Sequence, residues 1–158
     1  MQPSSQADTT HSIEVGTIAD LEVLPELTRE HYEEIATEGK LQTPDFDWPQ
    51  FRNLEALGLL LVLIARVRGE VVGYSVTILV PSHIHYRWLA FANNDLLFVR
   101  KSARRRGIGK RLIARTQDDA AHRGFRHVVW HAKPGTALEA VLHRMGYRVE
   151  ELTMMKEL

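Results

Sequence analysis

Apolar residues along this chain fall into alternating or continuous runs broken by glycine, proline and charged clusters, and their spacing predicts strands and helices in turn. "IEVGTI", 13 to 18, alternates like a strand and meets Asp20, an N-cap for a helix whose apolar face carries Leu24, Leu27, His31 and Ile35. Pro44 and Pro49 bracket the irregular "DFDW", and a short helix is predicted from Pro49 to about Leu57. In "LLLVLIARVRGEVVGYSVTILV", 59 to 80, two β-branched and leucine-rich runs meet at Arg68-Gly69, which reads as a hairpin. Pro81 ends the second of these strands, and "SHIHYRW" leads to a third from about Phe91 to Val99. Gly107 to Arg123 has Ile108, Leu112, Ile113 and Thr116 on one helical face and is stopped by Gly124. A short buried strand "HVVWHA" follows, then a helix from Thr136 to Met145 closed by Gly146, and a last strand from Tyr147 to about Met155. The order β-α-α-β-β-β-α-β-α-β predicts an α/β fold with a mixed central sheet flanked by helices. Residues 1–12 are polar and aperiodic, so a flexible tail is expected there and a single domain over 13–158.

Composition sharpens this picture in three places. With 158 residues, 44% of them hydrophobic and 25% charged, the chain can bury a substantial core. Lys plus Arg and Asp plus Glu are 20 each, so net charge encodes no general attraction to nucleic acid or anionic membrane. The absence of cysteine excludes disulfides, thiolate metal ligands and a cysteine nucleophile, and fits a reducing compartment. The apolar run from Leu57 to Ala65 is too short to span a bilayer and the N-terminus has no apolar signal segment, so a cytoplasmic protein is expected.

Positive charge is nevertheless concentrated in one turn. "ARRRGIGKR", 103 to 111, joins the strand ending at Val99 to the helix beginning near Gly107. Glycines at 107 and 109 allow a tight turn and a close ligand approach to main-chain N–H groups, which lie at the positive end of a helix dipole. A pyrophosphate suits such a place, and Arg104, Arg105, Arg106, Lys110 and Arg111 would supplement the amides. The spacing matches neither a Walker loop, which needs Gly-Lys-Ser/Thr, nor the three-glycine dinucleotide fingerprint.

Arg104-Arg105-Arg106-Gly107-Ile108-Gly109 does resemble the Arg/Gln-x-x-Gly-x-Gly/Ala signature of the GCN5-related N-acetyltransferase (GNAT) superfamily. "LLFVRKSARRRGIGKRLI" is similar to that family's strand 4, loop and helix 3, and "VLHRMGY", 141 to 147, to its second landmark. The segment around "HIHYR" also resembles small acetyltransferase-like proteins of bacteriophages. The resemblance implies a GNAT fold, acetyl-CoA as cosubstrate, no metal, and direct attack by an amine of a small molecule or peptide; homodimers are common in the family. It further implies that main-chain N–H groups from Arg104 to Lys110, Gly107, Ile108 and Gly109 included, hold the pyrophosphate. Leu97, Phe98 and Val99 would receive the pantetheine arm, and an N–H near Val99 would stabilise the oxyanion. Lys133, in "HAKPG" where the family often has an asparagine, would meet a CoA phosphate. The usual proton-donating tyrosine falls at Leu142, and neither His143 nor Tyr147 replaces it by position.

A lysine-like amine, pKa about 10.4, sits ~3.4 units above neutral pH, so a base is useful to such a reaction. Asp95 is the first candidate, since residues 95, 97 and 99 of a regular strand share one face; capping or pairing with an arginine would equally explain a carboxylate there. His83 and His85 are second candidates, with solvent-facing loop positions as the plainer reading. Trp48 and Phe51 could line the acceptor pocket or pack in the core. Two other classes stay open: a non-catalytic acyl-CoA-binding or interaction protein on this fold, and a nucleic-acid-binding module using the basic run from Arg100 to Arg115. Eight of the 20 Lys and Arg lie in that run, yet no aromatics interleave them for stacking, so no nucleic acid is expected as partner.

Overall fold

The computed structural model describes residues 11–35, 45–154 and 156. Its elements are β1 (His11–Val15), α1 (Ile18–Glu22), α2 (Pro25–Ile35), α3 (Trp48–Ala56), β2 (Leu60–Val67), β3 (Glu70–Val80), β4 (Phe91–Val99), a 3-10 turn (Lys101–Ala103), α4 (Ile108–His122), β5 (His127–Trp130) and α5 (Ala137–Arg144). The sheet order is β1-β2-β3-β4-β5. Neighbours from β1 to β4 are antiparallel, and β5 joins β4 in parallel through the crossover α4.

Residues 60–65 of β2 are apolar without a break, as suits a stretch covered on both faces. Leu60, Val62 and Ile64 join Ile18, Leu21, Leu27, Tyr74, Val76 and Phe98 in a core under α1, α2 and α3. Leu61, Leu63 and Ala65 pack on the opposite side with Val72, Ala103, Ile108 and Leu112 of the α4 layer. Trp48 and Phe51 pack against the first core. At its centre the buried His31 sets Nδ1 2.8 Å from the Tyr74 hydroxyl. Its ring stacks on Phe98 with centroids 4.9 Å apart.

Four expectations need correction. β1 begins at His11, so residues 11 and 12 belong to a strand, while the rest of the expected tail and Pro44 lie outside the described residues. Instead of one helix from Asp20 to Ile35 there are two, because Pro25 has no N–H to continue a ladder and opens a new helix in the position that tolerates it. Asp20 is not the N-cap: Thr17 precedes the helix, and the Asp20 carboxylate accepts from the Thr17 amide and hydroxyl, each at 2.8 Å. The last predicted strand is absent among the described residues after Gly146, and Val149, Leu152 and Met154 stand 70%, 73% and 86% exposed. Alternation makes a strand only where a sheet edge receives it, and β5 is four residues long.

Candidate functional site

The site grows from a mismatch in strand length. β5 pairs with β4 only from Phe91–His127 to Asn94–Trp130, while β4 continues to Val99, so the two strands part and Asp95–Val99 keep an edge without a ladder. Which groups face that edge follows from strand geometry. The Arg100 amide donates to Val72 O at 2.7 Å on the β3 side. Amides alternate sides along a strand, so that of Phe98 also turns to β3 while those of Leu97 and Val99 turn to the open edge. Phe98 therefore contributes no amide there, and its ring belongs to the core beneath α2. Gly73 allows β3 to lie close at this end: a Cβ on it would stand 2.6 Å from the Phe98 carbonyl oxygen.

A bulge lies at the point where the strands separate. Thr77 pairs with Asn94 but Val76 with Leu96, which leaves Asp95 without a partner on β3. Asn94 holds this irregularity together. Its buried Nδ2 lies within 2.9–3.2 Å of Ser75 Oγ, Val76 O, Thr77 Oγ1 and Leu96 O, and Ser75 Oγ reaches Thr116 of α4 at 3.1 Å. The bulge also breaks strict alternation. Leu97 and Val99 pack toward α4, and Asp95 does not share their face as a regular strand would require. Asp95 is exposed at the parting of the strands. Loss of hydration against the surrounding protein raises its pKa above the ordinary carboxylate value, and His131 pulls it back down.

His131, which sequence reasoning passed over, immediately follows β5, and its Nε2 stands 2.9 Å from Asn93 Oδ1. The signal was available: a histidine in "HAKPG", the segment already singled out because a family asparagine is missing from it.

Beyond Val99 the chain makes the arginine turn. Arg105 and Gly107 have φ of 63° and 76°, and left-handed residues beside ordinary ones point successive amides into one concavity. Gly107 is the N-cap of α4 and offers no side chain. Arg111 is the first residue to donate within the helix, to Gly107 O at 3.0 Å, so the amides of Ile108, Gly109 and Lys110 have no helical acceptor. A Cβ on Gly107 would meet nothing within 4 Å, so it is the backbone angle that requires glycine and the space beside it is open. These donors fit a diphosphate, and the unladdered edge of β4 fits an extended amide-bearing arm.

The side chains sort differently from expectation. Arg105, Arg106, Lys110 and Arg111 are exposed around the turn, and Arg111 Nη1 also lies 3.4 Å from His11 O. Arg104 is engaged elsewhere. Its Nε donates to Val99 O at 2.7 Å, its Nη2 pairs with Glu34 of α2, and its guanidinium lies 5.7 Å from the Phe98 ring centroid. Arg100 pairs with Glu30 one turn earlier on α2. A cavity of about 400 Å³ lies between α2 and this end of β4, lined by Glu30, Glu33, Glu34, Phe98, Arg100 and Lys101 among others. Lys133 reaches α2 as well, where one of its three N–H groups donates to Ile35 O at 2.7 Å. Leu142 is buried, and the Tyr147 hydroxyl donates to Gln117 at 3.2 Å.

His83 and His85 are not brought to this site. Their loop precedes β4, where the His83 ring packs against Tyr86 and Phe91, four residues and ~13 Å of strand from Asp95. Among the described residues, no three His, Asp or Glu gather as metal ligands, and no helix is long and apolar enough to cross a membrane.

Residues 15–147 match the model of the Acetyltransferase (GNAT) family. Solved structures share the architecture at low identity. A ribosomal-protein-alanine N-acetyltransferase from Brucella melitensis biovar Abortus 2308 superposes with a TM-score of 0.75 at 19% identity, covering 94% of this chain and 98% of that one. An aminoglycoside acetyltransferase from an uncultured soil metagenomic sample gives 0.74 at 19%, covering 94% and 99%. A predicted acetyltransferase from Clostridium acetobutylicum, solved with acetyl-CoA, gives 0.72 at 15%, covering 94% and 96%. No curated protein matches the sequence.

Proposed function

The chain belongs to the acetyltransferase (GNAT) family, and on that footing we propose that it moves an acetyl group from acetyl-CoA to a primary amine by direct attack. One observation carries the reading: the open edge of β4 runs straight into a turn in which the amides of Ile108, Gly109 and Lys110 lack helical acceptors, although that of Arg104 donates to Lys101 O at 3.3 Å. Acetyl-CoA supplies the activated thioester and, in its diphosphate and amide-bearing arm, the two groups these donors suit.

The chain's own residues divide the work by distance from the turn. Amides of Ile108, Gly109 and Lys110 bind the diphosphate, with Arg105, Arg106 and Lys110 side chains adding charge-assisted contacts. Val99, nearest the turn, pairs with the arm. Leu97 lies one pleat deeper, ~6.6 Å along the strand, and its amide is the better donor to the thioester carbonyl, the role that the family resemblance implied for an N–H near Val99. Asp95, a further pleat in, supplies the negative charge that receives the acceptor's ammonium group. The structurally similar acetyltransferases are named for aminoglycosides and for ribosomal-protein alanine, and the acceptor here is of the same kinds, an amine of a small molecule or peptide.

The test is release of free CoA thiol from acetyl-CoA across an amine panel, comparing wild type with Gly107→Trp. The variant forces a side chain onto a left-handed backbone at the mouth of the cradle, and it should lose at least tenfold in acetyl-CoA affinity. Equal behaviour of the two proteins counts against the cradle. Coenzyme binding by wild type with no amine turned over would favour a non-catalytic acyl-CoA-binding protein.

A further inference from the structure

Trp130, the last residue of β5, stands opposite Asn94, so the next residue along brings His131 beside the bulged Asp95 where the strands part. The Nε2 of His131 is 2.9 Å from Asn93 Oδ1. A carboxamide oxygen can only accept, so Nε2 carries the hydrogen and Nδ1 keeps its lone pair. The ring is exposed rather than sealed in the core, and an imidazole is a stronger base than a carboxylate.

We propose that His131 takes the proton from the acceptor amine, with Asn93 holding its tautomer and Asp95 stabilising the imidazolium that forms. The proposal rests on the acetyl-transfer reading and assigns its base. Asp95 is then a partner of the base rather than the base itself, placed beside it by the end of the β4–β5 ladder. Lys133, on the same loop, is held by the Ile35 carbonyl.

Nδ1 of His131 removes one proton from the ammonium, and the freed nitrogen lone pair forms the C–N bond while the carbonyl π pair moves onto oxygen. That pair returns and breaks the C–S bond. The CoA thiolate takes the surplus proton from the new amide nitrogen, and His131 releases its own to solvent.

Wild type is compared with His131→Gln, which retains a donor for Asn93 but no basic nitrogen. In ¹⁵N-correlated imidazole spectra of the coenzyme-free protein, the resonance lost in the variant should be that of an Nε2–H tautomer; an Nδ1–H tautomer would overturn the proposal. In thiol-release assays with acetyl-CoA and an aminoglycoside, spermidine or an alanine-ended peptide, kcat should fall ~100-fold or more. The KM for acetyl-CoA should be unchanged, and the acid limb of the kcat/KM profile should disappear. With a fluorinated, weakly basic analogue of the amine turned over, the difference between wild type and variant should largely vanish, because that amine arrives already neutral. Wild-type turnover with unaltered kcat and pH profile in the variant would refute the role of His131 and leave acetyl transfer standing. No turnover of the panel by wild type would remove the transfer reading, and this assignment with it.

Discussion

Acidification should destabilise this protein through one buried imidazole well before its ordinary carboxylates are neutralised. His31 is 6% exposed, stacked on Phe98 and hydrogen-bonded to Tyr74. Burial, opposed by Glu34 and aided by Arg104, lowers its pKa from 6.5 to about 4. The native state therefore holds fewer protons on this group than the unfolded state between those two values. Stability contributed by the neutral ring is present above 6.5 and is lost as pH falls toward 4. A difference of roughly 2.5 units corresponds to about 3 kcal/mol, a large part of the 5–15 kcal/mol typical of a domain. The other resolved carboxylate shifts do not mimic this slope. Asp20 is lowered, so its contribution is lost only at and below the usual carboxylate range, while raised Asp95 acts with the opposite sign. Urea unfolding followed by far-UV circular dichroism at intervals from pH 7 to 4 measures the slope. His31→Asn places an amide atom near the position of Nδ1 and can still bond Tyr74, but does not titrate. It should be less stable at pH 7 through loss of the Phe98 stack, and flatter toward pH 4. Parallel wild-type and variant profiles across that window would refute the reasoning.

Two further outcomes follow from the site. Asn94→Leu strips the donor from acceptors left by the bulge, and should cost about 2 kcal/mol or more in urea unfolding and lower kcat more than acetyl-CoA affinity, since Leu97 and Asp95 shift with the bulge. Alanine at Arg105, Arg106 and Lys110 together should weaken acetyl-CoA binding and flatten its dependence on salt, measured by titration calorimetry at several ionic strengths, with little change in unfolding free energy because these side chains are exposed.

The arginine turn was legible because its chemistry is local. Two glycines, a helix start and a strand end within about a dozen residues suffice to place unpartnered amides, and Gly107 adopts the positive φ expected of such a turn. The hairpin at Arg68-Gly69 was equally local, written in its turn residues. Side-chain roles were not. Arg104 reads like its neighbours, yet Glu34, seventy residues away in sequence, and the Val99 carbonyl draw it inward, and only packing of α2 over β4 could decide that.

By itself, then, the sequence determined the α/β plan, the order of its strands as far as β5, and the glycine turn ahead of α4, because periodicity, turn residues and helix starts act over a few residues. The parting of β4 from β5, the bulge that releases Asp95 and the approach of His131 to Asn93 were decided by tertiary structure. They depend on where one strand stops relative to another and on a one-residue slip in register, and no alternation within either strand encodes its partner's end.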